Sequence, residues 1–198
     1  MIHNLLGLKI MKIKLFFFTF VLFSVTKIYA QTTDTCCSNV LLNSYSEKLY
    51  TSEPVTEQQL EFILKCGIKS PSARNMQPWK FTVIKDEPTM KEIVNDIVPG
   101  NVLIVVSGVE REDGTTPDFD CGLATQSMFI AAHSLGLGAR IYGGPVGIIN
   151  SNKELFQIPS GYKAVVALRV GNIDKTVDAV SAASPRKTDE EIIIQKVN

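Results

Sequence analysis

Apolar positions along this chain change period several times, and each change marks an element. Leu60, Ile63, Leu64 and Ile68 recur at helical spacing behind Thr56-Glu57-Gln58-Gln59, a capping box. A helix therefore opens at Thr56, with Gly67 and Pro71 bracketing its end. Trp79–Ile84 alternates apolar and polar as a strand does. Met90–Val98 reads as a short amphipathic helix ended by Pro99-Gly100. Val102–Val106 is an unbroken apolar run, expected of a central strand covered on both faces. Glu110–Pro117 is charged and holds Gly114, so it is a surface loop, either a lid edge or a plain solvated connection.

The longest helical pattern is Asp118–Leu135. Leu123, Ala124, Met128, Ile130, Ala131, Ala132 and Leu135 leave it little polar face, so cover from a second subunit is expected. Ala139–Tyr142 and Lys163–Gly171 read as strands, and Asn152–Phe156 begins a short helix. Ala179–Ser184 is a small-residue linker, and Glu190–Ile194 has the make-up of an edge strand exchanged onto a partner's sheet.

The amino terminus follows a different pattern. From Met11, a plausible true start, Lys12 and Lys14 precede an apolar run from Leu15 to Val25 and then Ile28-Tyr29-Ala30. This is the layout of a secretory signal, too short to span a bilayer comfortably, since a span needs about 20 apolar residues. The expected organisation is a signal over residues 1–30, a linker over 31–42 and one domain over 43–198. Cleavage after Ala30 would make the protein exported, periplasmic or secreted; without a cleaved signal it would be cytoplasmic.

Composition adds mainly exclusions. The 198 residues are 45% hydrophobic and 20% charged with zero net charge, which suits a globular domain and does not suggest a nucleic-acid partner. His133 is the one histidine beyond the signal, and no CxxC or HxxxH spacing occurs, so no metal site is expected. Cys66 and Cys121 fall in apolar helical stretches and read as small buried thiols; the adjacent Cys36 and Cys37 leave a thiol-redox role open.

Chemistry concentrates in Ser70–Trp79, Ser-Pro-Ser-Ala-Arg-Asn-Met-Gln-Pro-Trp. Ser72, Arg74, Asn75 and Gln77 offer more donors and acceptors than a turn needs, a set able to read a planar heterocycle and hold an anion. The stretch through Lys80-Phe81 resembles the signature of the nitroreductase family of FMN-dependent oxidoreductases, and the likeness runs from about Ser44 to Lys187. Asp120-Cys121-Gly122-Leu123-Ala124-Thr125-Gln126 is similar to that family's dimer helix.

The resemblance implies an α+β fold, an α/β/α sandwich with a central, mostly antiparallel sheet flanked by helices, in a domain-exchanged homodimer. It implies FMN as cofactor, NAD(P)H as co-substrate, and nitroaromatics, quinones or similar small molecules as acceptors. Residue by residue, it assigns the flavin to Ser46, Lys48, Ser72, Arg74, Asn75 and Gln77, and to the main chain of Gly144, Pro145, Val146 and Gly147. Arg186 and Lys187 take the phosphate, and Lys48 is a possible tuning group beside the ring; no protein side chain is assigned as catalytic. Ser44 and Tyr45 stand where the family has two arginines, and no Glu accompanies Gly143–Gly147. A second reading is therefore an exported flavin-binding or scaffold protein with little or no turnover.

Overall fold

A computed structural model describes residues 37–112, 116–177 and 185–194. The expected signal, the first part of the linker before Asn43, the 179–184 linker, Cys36 and the Cys37 side chain lie outside the described residues. The chain divides between Leu42 and Asn43 into two units, and α1 (Cys37–Asn43) is the described part of the boundary. Everything below concerns the second unit.

Four antiparallel strands form its sheet: β1 (Trp79–Ile84), β2 (Val102–Val109), β3 (Gly138–Tyr142) and β4 (Tyr162–Gly171), in the spatial order β1-β2-β4-β3. β2 explains its own composition. Val102, Ile104 and Val106 pack on one face, against α2 (Glu57–Ile68) and α4 (Asp118–Ser134). Leu103 and Val105 pack on the other, with Met90 of α3 (Glu87–Lys91) and Ile149 of α5 (Val146–Ser151). A strand buried on both faces has no place for a polar alternate. This is the expected α+β layering of helices, sheet and helices.

The capping box of α2 forms as read: Thr56 Oγ1 accepts from the Gln59 N–H, and the Gln59 side chain accepts from the Thr56 N–H. Two short helices lie away from where periodicity puts them. The one expected over Met90–Val98 is α3, which starts earlier because Asp86 caps the Thr89 N–H, and which stops at Lys91. Met90, Val94 and Ile97 still reach the core, through turns that keep a helix-like spacing. The helix expected from Asn152 is α5, which begins six residues earlier, behind Pro145. Glu190–Ile194 is not a strand in the single chain. Thr188 and Glu191 close a second capping box around α6 (Asp189–Ile192), and Ile193 is extended.

One charge lies deep in the sheet. Arg169 of β4 is 1% exposed. Its Nε donates to Asn101 Oδ1 and its Nη2 to the Asp96 carbonyl, both at 2.8 Å, while Nη1 lies 3.1 Å from Asp96 Oδ2. The guanidinium carbon also sits 3.9 Å from the ring centroid of Tyr50. The segment ahead of α2 is thereby fixed to the sheet, helped by the Thr51 N–H, which donates to the Asn172 carbonyl.

α4 carries His133, half buried, with its ring 4.6 Å from that of Phe129 and 5.7 Å from that of Tyr45. Burial pushes its pKa below 6.5, although the Tyr45 backbone and the Glu47 charge pull it upward. The unfolded chain therefore takes up this proton first as pH falls. Stability should drop from pH 6.5 downward, until pH passes the depressed native value. Urea unfolding of His133→Phe should show a shallower loss between about pH 7.5 and about pH 5.5 than the parent; equal slopes would rule this residue out as the source.

Candidate functional site

The loop between α2 and β1 is held from below and open above. Asp120, 5% exposed in the first turn of α4, accepts from the Ala73 N–H at 3.0 Å. Ser70 Oγ lies 2.7 Å from Ser127 Oγ on the same helix. Ser72 Oγ accepts from the Gln77 N–H at 2.9 Å and closes the loop on itself. Between these ties Arg74, Asn75 and Gln77 take φ of 52°, 55° and 47°. Left-handed backbone costs a residue with a Cβ about 1–2 kcal/mol, and it clusters where a site imposes it. All three side chains are exposed in the single chain, and Gln77 Nε2 lies 3.3 Å from Asn75 Oδ1.

Beside this loop runs a groove of about 400 Å³ lined by Leu64, Ile68, Gln77, Trp79, Lys80 and Phe81. Trp79 and Phe81 stack within it at 6.4 Å between ring centroids. An apolar, aromatic wall with an amide at its rim suits a flat ligand.

Ser46 and Lys48 lie elsewhere. They are exposed on either side of Glu47, which is buried and whose N–H donates to the Ala139 carbonyl at 3.0 Å. That bond sets the segment against the start of β3. The end of β3 leads into Gly143–Gly147, where Gly144 and Gly147 are exposed and a Cβ added to Gly143, Gly144 or Gly147 would meet nothing within 4 Å. None of these three glycines has a positive φ. Neither crowding nor conformation within the chain requires glycine there, so the backbone lies open to something from outside. Arg186 and Lys187 are exposed ahead of α6.

The sheet sets these groups apart. The Ser72–Gln77 loop enters β1 at Trp79, whose partner on β2 is Gly108. Ser46 and Lys48 sit by Ala139, whose partner on β4 is Val170, itself opposite Val102 of β2. The two patches flank opposite edge strands and opposite ends of β2. Three strand spacings across and six residues along place them on the order of 25 Å apart. The structure places Ser46 and Lys48 beside the start of β3, the glycine turn past its end, and Ser72, Arg74, Asn75 and Gln77 by β1, so that Ser46 and Lys48 lie far from the loop and the turn lies across the sheet from it.

The other candidates are quieter. Burial pushes the Cys121 thiol up to about 12, with Asp118 and Asp120 adding to it, and burial also raises Cys66. Both are free; Cys121 is fully buried as expected of a structural thiol, whereas Cys66 is only half-buried. Among the described residues no three His, Cys, Asp or Glu groups gather as a metal site, and no helix is long and apolar enough to cross a membrane. Sequence reasoning missed Asp120 and Glu47. Asp120 reads as an acid complementing a helix N-terminus, and Glu47 offers only its place between two candidates.

Comparison with known proteins bears on the family and the fold. The Nitroreductase family model matches residues 42–101 and 98–172. A protein of Archaeoglobus fulgidus named NADH dehydrogenase/NAD(P)H nitroreductase is 30% identical over 112 residues, 52% of this chain and 64% of that one. The chain thus spans just under two thirds of that curated relative. Among solved structures, a Bacillus subtilis nitroreductase superposes with a TM-score of 0.70 at 19% identity, covering 82% of this chain and 74% of that one. A Bacteroides fragilis nitroreductase with bound FMN gives 0.65 at 18% identity, covering 82% and 98%. These neighbours share the α+β fold described above, and with the family model matched over most of that fold, the chain belongs to the nitroreductase family.

Proposed function

We propose that the chain is an FMN-dependent oxidoreductase working as a homodimer, each flavin lying between half-sites from two copies. The separation of the two patches carries this reading. Within one chain Ser46 and Lys48 lie at the opposite corner of the sheet from the loop at β1, too far apart to share one ligand; a second copy would bring the loop of one chain to the β3 edge of the other. Exposed Phe119 and Leu135 at the two ends of α4 give such a partner apolar surface to cover.

The residues present fit a flavin. Asn75 and Gln77 supply amide donors and acceptors for a heterocycle edge, and Ser72 and Arg74 a hydroxyl and a fixed cation. Gly144 and Gly147 expose main chain flanking Pro145 and Val146. Lys48 supplies a cation suited to an edge that gains negative charge, and Arg186 and Lys187 a fork and a point charge suited to phosphate. The chemistry a bound flavin would supply is transfer of hydride or electrons from a reduced donor, NAD(P)H in the simplest case, to a small nitroaromatic, quinone or similar acceptor. Should the signal over residues 1–30 direct export, the donor would be a different reductant, because nicotinamides are scarce outside the cytoplasm.

Titration of the purified chain with FMN, followed by flavin fluorescence and sedimentation, tests the proposal. One FMN per chain in a dimer, bleached by NADH or NADPH, is the expected result. A chain that takes up no FMN refutes the cofactor, and a monomer that binds it refutes the shared site. Flavin that binds but is reduced by neither nucleotide favours the binding-protein reading. One observation supports that alternative: Tyr45, where the family has an arginine, gives its hydroxyl to Glu47 and its ring to His133.

A further inference from the structure

Glu47 is 1% exposed, and among the described residues it forms no ion pair. Burying a lone carboxylate is costly unless hydrogen bonds replace its water. Three donors do so. Oε1 accepts from the N–H groups of Lys48 and Leu49, both at 2.7 Å, and Oε2 accepts from the Tyr45 hydroxyl at 2.8 Å. Two of these donors are the next two amides of its own chain, so the carboxylate hooks the backbone back over itself. The hook holds Glu47 inward and leaves its neighbours Ser46 and Lys48 outside.

The hook is also fixed to the sheet. The Glu47 N–H donates to the Ala139 carbonyl at 3.0 Å. Gly138 passes so close that an added Cβ would stand 2.6 Å from Glu47 Cγ and 2.4 Å from Ile173 Cγ2. β3 therefore carries the hook at its first residues and the Gly143–Gly147 turn past its last.

Resting on the flavin reading above, we infer that Glu47 is a positioning residue, which sets the Lys48 cation and the Ser46 hydroxyl at a fixed distance from the glycine turn. It touches no ligand itself. Its work depends on reach, because its oxygens must arrive at two amides together, and little on charge. Glu47→Gln keeps the reach and an accepting Oε1. Glu47→Asp keeps the charge and is one methylene short.

FMN affinity measured by fluorescence titration, alongside thermal unfolding, tests this. Glu47→Gln should stay within about twofold of the parent Kd, and Glu47→Asp should weaken binding about tenfold, the scale of one charge-assisted contact. In a double-mutant cycle, Lys48→Ala should cost about tenfold in the parent and less than about twofold in the Glu47→Asp background, since the cation is already misplaced there. Should Glu47→Asp fail to fold, Gly138→Ala displaces the same carboxylate and takes its place in the cycle. A Glu47→Asp chain with a lowered melting temperature but parental FMN affinity, or losses that multiply in full, overturns the inference and leaves the flavin reading standing. A parent chain that binds no FMN overturns both.

Discussion

Arg169→Ala should lower the unfolding free energy by about 3–5 kcal/mol, with a urea midpoint shifted down and an unchanged m-value. Two effects add. The truncation empties a space beneath the Tyr50 ring, and buried large-to-small changes cost about 2–5 kcal/mol. It also strips the donor from Asn101 Oδ1, on a residue only 2% exposed, and an acceptor left so buried costs about 1–3 kcal/mol. Its pairing with Asp96 contributes little to the sum, because that carboxylate is 56% exposed and screened. Arg169→Met separates the effects: it refills the space and still leaves Asn101 unpaired, so about half the loss should remain. A loss below about 1 kcal/mol for the alanine variant would mean that this network does not tie the start of β2 to the Tyr50 segment.

Arg74→Gly should move stability and ligand affinity in opposite directions. At φ 52° a glycine escapes the left-handed penalty, which outweighs its greater unfolded-state entropy, so the variant should be more stable by up to about 1 kcal/mol. FMN affinity should fall about 10- to 100-fold, the worth of a charge-assisted hydrogen bond. Urea unfolding of the flavin-free chain and fluorescence titration read the two quantities separately. Unchanged affinity would remove Arg74 from the site, and a marked loss of stability would show that the loop backbone is not under strain.

Much of the fold is legible along the chain because burial repeats. Val102–Val106 betrays a strand covered on both faces, Thr56 and Gln59 announce the start of α2, and Asp118–Ser134 reads as a helix with almost no outer face. The short helices are not, since α3 and α5 depend on one capping aspartate and one proline rather than on periodicity. The candidate loop is legible in residue type but not in shape. Asn75 is a residue that tolerates left-handed backbone, whereas Arg74 and Gln77 give no sign of adopting it. Arg169 looks like an ordinary outward position in Val-Ala-Leu-Arg-Val; only the approach of Asn101, Asp96 and Tyr50 from other parts of the chain turns it inward. The separation of the two half-sites is invisible in one dimension, because it follows from β4 pairing between β2 and β3.

That placement of β4 also governs the order in which the molecule can be built. As the chain leaves the ribosome, β1 and β2 can pair early, but β3 emerges with no neighbour and β2 keeps one unsatisfied border. Both wait for the last strand to slide between them. Until it arrives, Val102–Val106 is a nearly all-aliphatic template open to any passing chain. Nascent molecules are therefore exposed to pairing with one another along β2 until β4 has emerged and inserted.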